Sequence, residues 1–164
     1  MSKTMFVTVI IGCILLFSAC EGAGAPMLRF DGDVGFSGEL KCETLTAQAD
    51  FARSDGDWTV TFTSPESISG LTLSISGENV SATLDGISFE FPDEGMRFKS
   101  AATYVTDVID MLDESVSAQK DGETLSVSGT NQQGNYKITA DASGKLLSVS
   151  SAEVTFTAFA DEQQ

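Results

Sequence analysis

Histidine does not occur in the sequence, and basic residues are scarce: nine Lys plus Arg face 24 Asp plus Glu, for a formal charge of −15. Without histidine, the commonest general base and the commonest transition-metal ligand are both missing, which excludes triads and zinc sites built on it. The acidic excess repels a phosphate backbone, so nucleic acid is not an expected partner. Cysteine is also sparse, with three residues in 164. What is present in quantity is apolar: 41% of residues are hydrophobic against 20% charged, enough to build a packed core rather than a disordered chain. The length favours one domain with an appended segment.

That segment is N-terminal. Lys3 supplies a positive start, and Met5 to Ala19 form an uncharged, mostly apolar stretch. It falls short of the roughly 20 residues of a membrane span and has the character of a cleaved export signal. It ends in Leu16-Phe17-Ser18-Ala19-Cys20, which resembles a bacterial lipobox, in which small residues precede the acylated cysteine. The resemblance implies that residues 1–19 are removed and that Cys20 carries a diacylglyceryl thioether. The expected location is the cell membrane, lipid-anchored on its extracytoplasmic face. Residues 20–27 then form the lipidated cysteine and a short linker; Glu21 to Met27 reach at most about 23 Å at about 3.3 Å per residue. With Cys13 lost and Cys20 acylated, Cys42 is left alone, and no disulfide can form within the mature chain. Cys42 lies in a strand-like segment and reads as a small buried hydrophobe.

From Leu28 onward the apolar residues recur with period two. Leu28, Phe30, Val34 and Phe36 share one face, Leu40 and Cys42 continue it, and a bulge or bend near Thr44 shifts the parity to Leu45, Ala47, Ala49 and Phe51. Trp58, Val60 and Phe62 form a further strand that Pro65 stops. Leu71 to Ile75, Val80 to Leu84, Ile87 to Phe91, and four more apolar pairs or triplets between Leu125 and Phe156 follow, separated by turn signals such as Asp85-Gly86 and Ser143-Gly144. One stretch has helical spacing instead. Ala101, Val105, Val108, Ile109 and Leu112 predict a helix over about residues 101–114, with Ser100 as its N-cap. The expected fold is mainly β (α+β): a strongly curved antiparallel sheet, or half-open β-barrel, covered by that helix. The β domain spans 28–160 and leaves 161–164 as a tail.

Reactive motifs are thin. Asp31-Gly32-Asp33 looks like the start of a calcium loop, but position twelve is Cys42 and the surroundings read as strand, so a solvated face is expected. Asp110, Asp113 and Glu114 cluster at the helix end and read as an exposed face. There is no nucleophile elbow and no Gly-rich phosphate loop. No catalytic residue, metal ligand or cofactor is expected. The aromatic residues remain. Phe30, Phe36, Trp58, Phe62, Phe89 and Phe91 all fall on the apolar parity of their strands. With Leu73 and the helix positions Val105, Ile109 and Leu112, they are the candidates for lining an apolar cavity between sheet and helix.

The run Trp58-Thr59-Val60-Thr61-Phe62-Thr63-Ser64-Pro65, continuing through Ser69-Gly70-Leu71, resembles a signature of Gram-positive lipoproteins with a LolA/LppX-like fold. The hairpin from Val80 to Phe91 around Gly86 and the closing stretch from Gly144 to Phe159 are similar to later parts of the same family. The resemblance implies a half-open barrel with a helical lid and an apolar interior. It also implies a non-enzymatic envelope protein that binds a lipid or acyl chain, or that acts as an anchored scaffold or chaperone for an envelope protein. Cavity volume separates the two readings.

Overall fold

The structure, a computed structural model, describes residues 25–43, 45–90 and 97–160. A two-residue strand β1 (Met27–Leu28) is followed by two long strands, β2 (Val34–Cys42) and β3 (Leu45–Ser54), and by β4 (Asp57–Ser64). Then come β5 (Thr72–Ser76), β6 (Asn79–Leu84) and β7 (Ile87–Glu90), the helix α1 (Arg97–Asp110), and two short strands, β8 (Val116–Ser117) and β9 (Gln119–Asp121). Four more complete the domain: β10 (Thr124–Asn131), β11 (Gly134–Asp141), β12 (Leu146–Ser150) and β13 (Val154–Ala158). Among the described residues the fold is mainly β, with one large antiparallel sheet, one α-helix and a short 3-10 turn at Glu66–Ile68.

Strand order in the large sheet is β7-β6-β5-β4-β3-β2-β13-β12-β11-β10-β9. Each half is a meander in which neighbours in sequence pair, mostly through tight turns; β4 and β5 are joined by residues 65–71, which include a 3-10 helix at Glu66–Ile68. Asp55-Gly56 and Asp85-Gly86 adopt positive φ at both positions, 53° and 87° in the first and 52° and 78° in the second. That is the two-residue hairpin geometry matching the right-handed twist of the strands. The halves are joined where β13 pairs with β2, Phe156 opposite Leu40. The sheet is not closed into a barrel: β7 and β9 form its two edges. Those edges dictate the helix. The chain leaves β7 at one edge and must reach β9 at the other, so α1 crosses the sheet and packs against the central strands β2 and β13. β1 and β8 pair with each other, tying the N-terminal entry to the segment after α1.

One face of the sheet is buried. Along β3 the residues alternate strictly, with Ala47, Ala49, Phe51 and Arg53 inside and Thr46, Gln48, Asp50 and Ala52 outside. From α1, Ala101, Ala102, Val105, Val108 and Ile109 join the same core, fully inaccessible. Gly38 is buried there because the Phe156 ring occupies the space above it; a Cβ on Gly38 would lie 2.5 Å from Phe156 Cζ.

Three expectations need correction. The helix runs from Arg97 to Asp110 rather than over about 101–114, so Ser100 lies within its first turn and does not cap it. Apolar spacing marks only the stretch that packs; beyond Asp110 the turn tightens, Leu112 N donating to Ile109 O at 2.9 Å and Asp113 N to Asp110 O at 3.2 Å. The first apolar run is two strands, because Gly32 at φ 69° turns the chain between Leu28 and Val34. The parity change near Thr44 is a hairpin between β2 and β3, in which Cys42 pairs with Leu45, and not a bulge or bend within one strand.

Candidate functional site

Period-two alternation brings four aromatic rings onto the buried face of adjacent strands. Phe36 of β2 stacks on Phe51 of β3 with centroids 5.1 Å apart, and meets Trp58 of β4 edge-on at 5.8 Å. Phe156 of β13 completes the group, 5.2 Å from Phe36 and 5.1 Å from Phe51. Beside this cluster lies a cavity of about 480 Å³, bordered by Phe30, Val34, Phe36, Phe51, Leu146, Ala158 and Phe159, with Lys145, Ser37 and the Gly35 backbone completing its wall. None of these residues belongs to α1. The cavity sits on the stretch of the buried face that the helix does not cover.

The predicted lining therefore divides. Phe30 and Phe36 border this cavity. Trp58, Phe62, Leu73, Val105, Ile109 and Leu112 are packed in the core instead, each at most 2% exposed. Phe89 stands opposite Ala82 in the β6–β7 ladder, and Phe91 and Cys20 lie outside the described residues. Phe51, Leu146 and Phe159 are among the wall residues that lie outside the predicted lining. Phe51 was legible, because it shares the inward parity of Ala47 and Ala49.

The other departure from the sequence reading is Arg53. It holds the last inward position of β3, and its side chain is 3% exposed. Its Nη1 donates to Asp110 Oδ1 at 2.6 Å and to Asp113 Oδ1 at 2.7 Å, Nη2 to Phe30 O at 2.6 Å, and Nε to Gly32 O at 3.0 Å. The guanidinium also lies over the Trp58 ring, 5.3 Å from its centroid. Trp58 Nε1 donates to both oxygens of Asp110, at 2.9 and 3.1 Å. One cation thus binds three separate pieces of chain: β3, the end of α1 and the loop carrying Phe30. Asp110 and Asp113 lie on an exposed face, as expected, and also reach this buried arginine. Their remaining surface is open to water, with side chains 41% and 57% exposed. A charged residue on an otherwise apolar strand parity was the signal in the sequence.

Neither a family model, nor a curated protein, nor a solved structure matches this chain.

A second cavity of about 250 Å³ opens at the far end of β2, bordered by Cys42, Tyr104, Asn135, Ser151 and Val154. Cys42 is partly buried, packed against the core on one side and facing this space on the other. Loss of hydration raises the Tyr104 phenol above its ordinary value, and Ser151 offsets part of the effect. Asp107, on α1, is held above the ordinary carboxylate range first by partial burial of its carboxyl and then by the negative charge of Asp110. Among the described residues no three His, Cys, Asp or Glu side chains converge as a metal site, and no helix is long and apolar enough to cross a membrane.

Proposed function

We propose that this chain is a bacterial envelope lipoprotein, anchored through Cys20 on the extracytoplasmic face, that binds a lipid or acyl chain without catalysing a reaction. Its sheet, open at both edges and crossed by one helix, is read as a half-open barrel of the LolA/LppX-like kind. The observation that carries the ligand reading is the cavity of about 480 Å³ walled by Phe30, Phe36 and Phe51. Its volume falls within the roughly 300–1,000 Å³ of small-molecule clefts. The position differs from the one the sequence suggested: the ligand sits beyond the end of the helix, not beneath it. Phe30 lies two residues after β1, so the cavity is near the point where the N-terminal segment enters the domain. A lipid leaving the bilayer would meet this end of the molecule first.

A second reading, an anchored scaffold or chaperone-like partner of an envelope protein, has its own support. The space between α1 and the sheet is filled, with Trp58, Phe62, Val105, Val108 and Ile109 packed to near-zero exposure. Native density leaves no room for a chain there. Mass spectrometry of lipids co-purified with the protein decides between the two. A stoichiometric apolar species that is lost when Ala158→Phe fills the cavity supports ligand binding. A protein free of lipid from every preparation supports the scaffold.

A further inference from the structure

The inward parity of β2 is covered unevenly. Leu40 is fully buried, whereas Val34 and Phe36 on the same stripe keep part of their surface open, and Phe159 on the cavity rim is 45% exposed. Among the described residues, nothing covers this apolar surface fully. Residues 161–164 follow directly on the rim, but Asp161-Glu162-Gln163-Gln164 carry no apolar side chain to lay over it. Residues 91–96 lead into α1, whose Ser100 and Ala101 border the second cavity at the opposite end of β2. The N-terminal segment is placed differently. Pro26 O accepts from Ala118 N at 2.7 Å, β1 pairs with β8, and Phe30 N donates to Leu112 O at 3.0 Å. The entering chain is thus pinned along residues 112–118 and leads straight to Phe30 in the cavity wall.

We infer that the cavity takes one of the acyl chains carried by the protein's own Cys20, laid against Val34, Phe36 and Phe159. This rests on the anchor and ligand readings above and names the ligand. The reach suffices. Ala25 to Phe30 is at most about 17 Å, and Cys20 can double back from Ala25 by the same distance, at about 3.3 Å per residue. The acyl chain adds about 15 Å, half the thickness of the bilayer's hydrocarbon core. Leaving the bilayer costs such a chain little, because each CH₂ passes from one apolar medium to another. A short tether also presents it to the cavity at an effective concentration on the order of millimolar, an advantage over any free amphiphile. The cavity, about 480 Å³, lies in the lower half of the usual range for clefts, about 300–1,000 Å³, which suits one chain and leaves a second in the membrane. The consequence falls on the anchor. Two inserted chains hold a protein firmly, whereas one gives only marginal, reversible binding, so a chain taken into the cavity loosens the protein without any cleavage.

The test uses the full chain, processed in a bacterium fed a fatty acid with a terminal diazirine and reconstituted in phosphatidylcholine vesicles. Irradiation should join the N-terminal tryptic peptide ending at Arg29 to the peptide 146–164, which carries Leu146, Ala158 and Phe159 of the cavity wall. With an excess of isotopically heavy chain lacking the diazirine, the cross-link should stay within the light protein. The acylated protein should pass from donor to acceptor vesicles about tenfold or more faster than Ala158→Phe, whose cavity is filled, as expected for one inserted chain against two. Cross-links to lipid alone, or to the heavy chain, would overturn the inference; a co-purified lipid lost in Ala158→Phe would then assign the cavity to a foreign ligand. A covalently attached chain escapes co-purification, so a lipid-free preparation overturns the ligand reading only when the cross-link is absent as well. A chain that takes up no diazirine fatty acid would overturn the anchor reading, and this inference with it.

Discussion

Replacing Arg53 by methionine tests whether the helix end is held by this one side chain. Methionine has similar reach and keeps an apolar stem against Trp58, but it cannot donate. Four acceptors then lose a donor: two carboxylates, of which Asp110 keeps Trp58 Nε1, and the carbonyls of Phe30 and Gly32. The losses are unequal. Asp110 and Asp113 are open enough for water to replace the guanidinium, so each costs about 1 kcal/mol or less, as an exposed pair does. The Phe30 carbonyl is bonded in a buried setting, and a buried acceptor left without a donor costs about 1–3 kcal/mol. With the Gly32 bond and the stacking on Trp58 added, the expected destabilisation is about 3–5 kcal/mol, the range for removing one partner of a buried ion pair. Urea unfolding followed by Trp58 emission measures it directly. Arg53→Lys keeps the charge but not the fork that reaches all four acceptors, so it should recover only part of the loss. A double-mutant cycle with Asp110→Asn should show a positive coupling, because the two groups share a contact at 2.6 Å. A loss below about 1 kcal/mol for Arg53→Met would refute the clamp, since it would mean that water satisfies the Phe30 carbonyl as well.

Four other outcomes follow from the packing and the charges. Leu112→Ala should cost about 2–5 kcal/mol by denaturation, because Leu112 is 1% exposed in a filled core; about 1 kcal/mol would place it beside a void instead. Gly38→Ala should cost about 1–3 kcal/mol or more and disturb the near-ultraviolet aromatic signal, since the new Cβ runs into the Thr157 carbonyl as well as the Phe156 ring; a silent substitution would contradict that close approach. Asp107 has a folded-state pKa above its ordinary value, so folding disfavours its charged form, and the penalty present at neutral pH vanishes as pH falls below the ordinary carboxylate range. Asp107→Asn should therefore raise the denaturation midpoint at pH 7 and have no such benefit near pH 3, and a benefit independent of pH would show another cause. Cys20→Ser should shift the protein out of the membrane fraction or leave the signal uncleaved, and unchanged membrane partitioning would refute the lipid anchor.

Parity and turn chemistry made much of this fold legible. The alternation through Trp58, Val60 and Phe62, and the Asp85-Gly86 turn, need nothing beyond their own neighbours to be read. The pairing of β2 with β13 is different in kind, because it joins residues 34–42 to residues 154–158 and no local pattern encodes it. That pairing sets the length of the sheet between its two edges, and with it the path of the helix. The same non-local geometry explains why the predicted lining separated into two groups. Phe36 and Trp58 have the same inward parity and touch each other, yet Trp58 lies against Asp110 at the helix end while Phe36 borders open volume. Period two says which way a side chain points, but not whether another element arrives to cover it. Arg53 shows a limit of a different sort, because its signal is local: the apolar stripe of β3 ends at Phe51, and a cation at the next inward position is itself informative. A buried charge must be paired, so its parity pointed inward to carboxylates on whatever covered the sheet. Asp110 and Asp113, three residues apart at the end of the predicted helix, were the carboxylates available on that element.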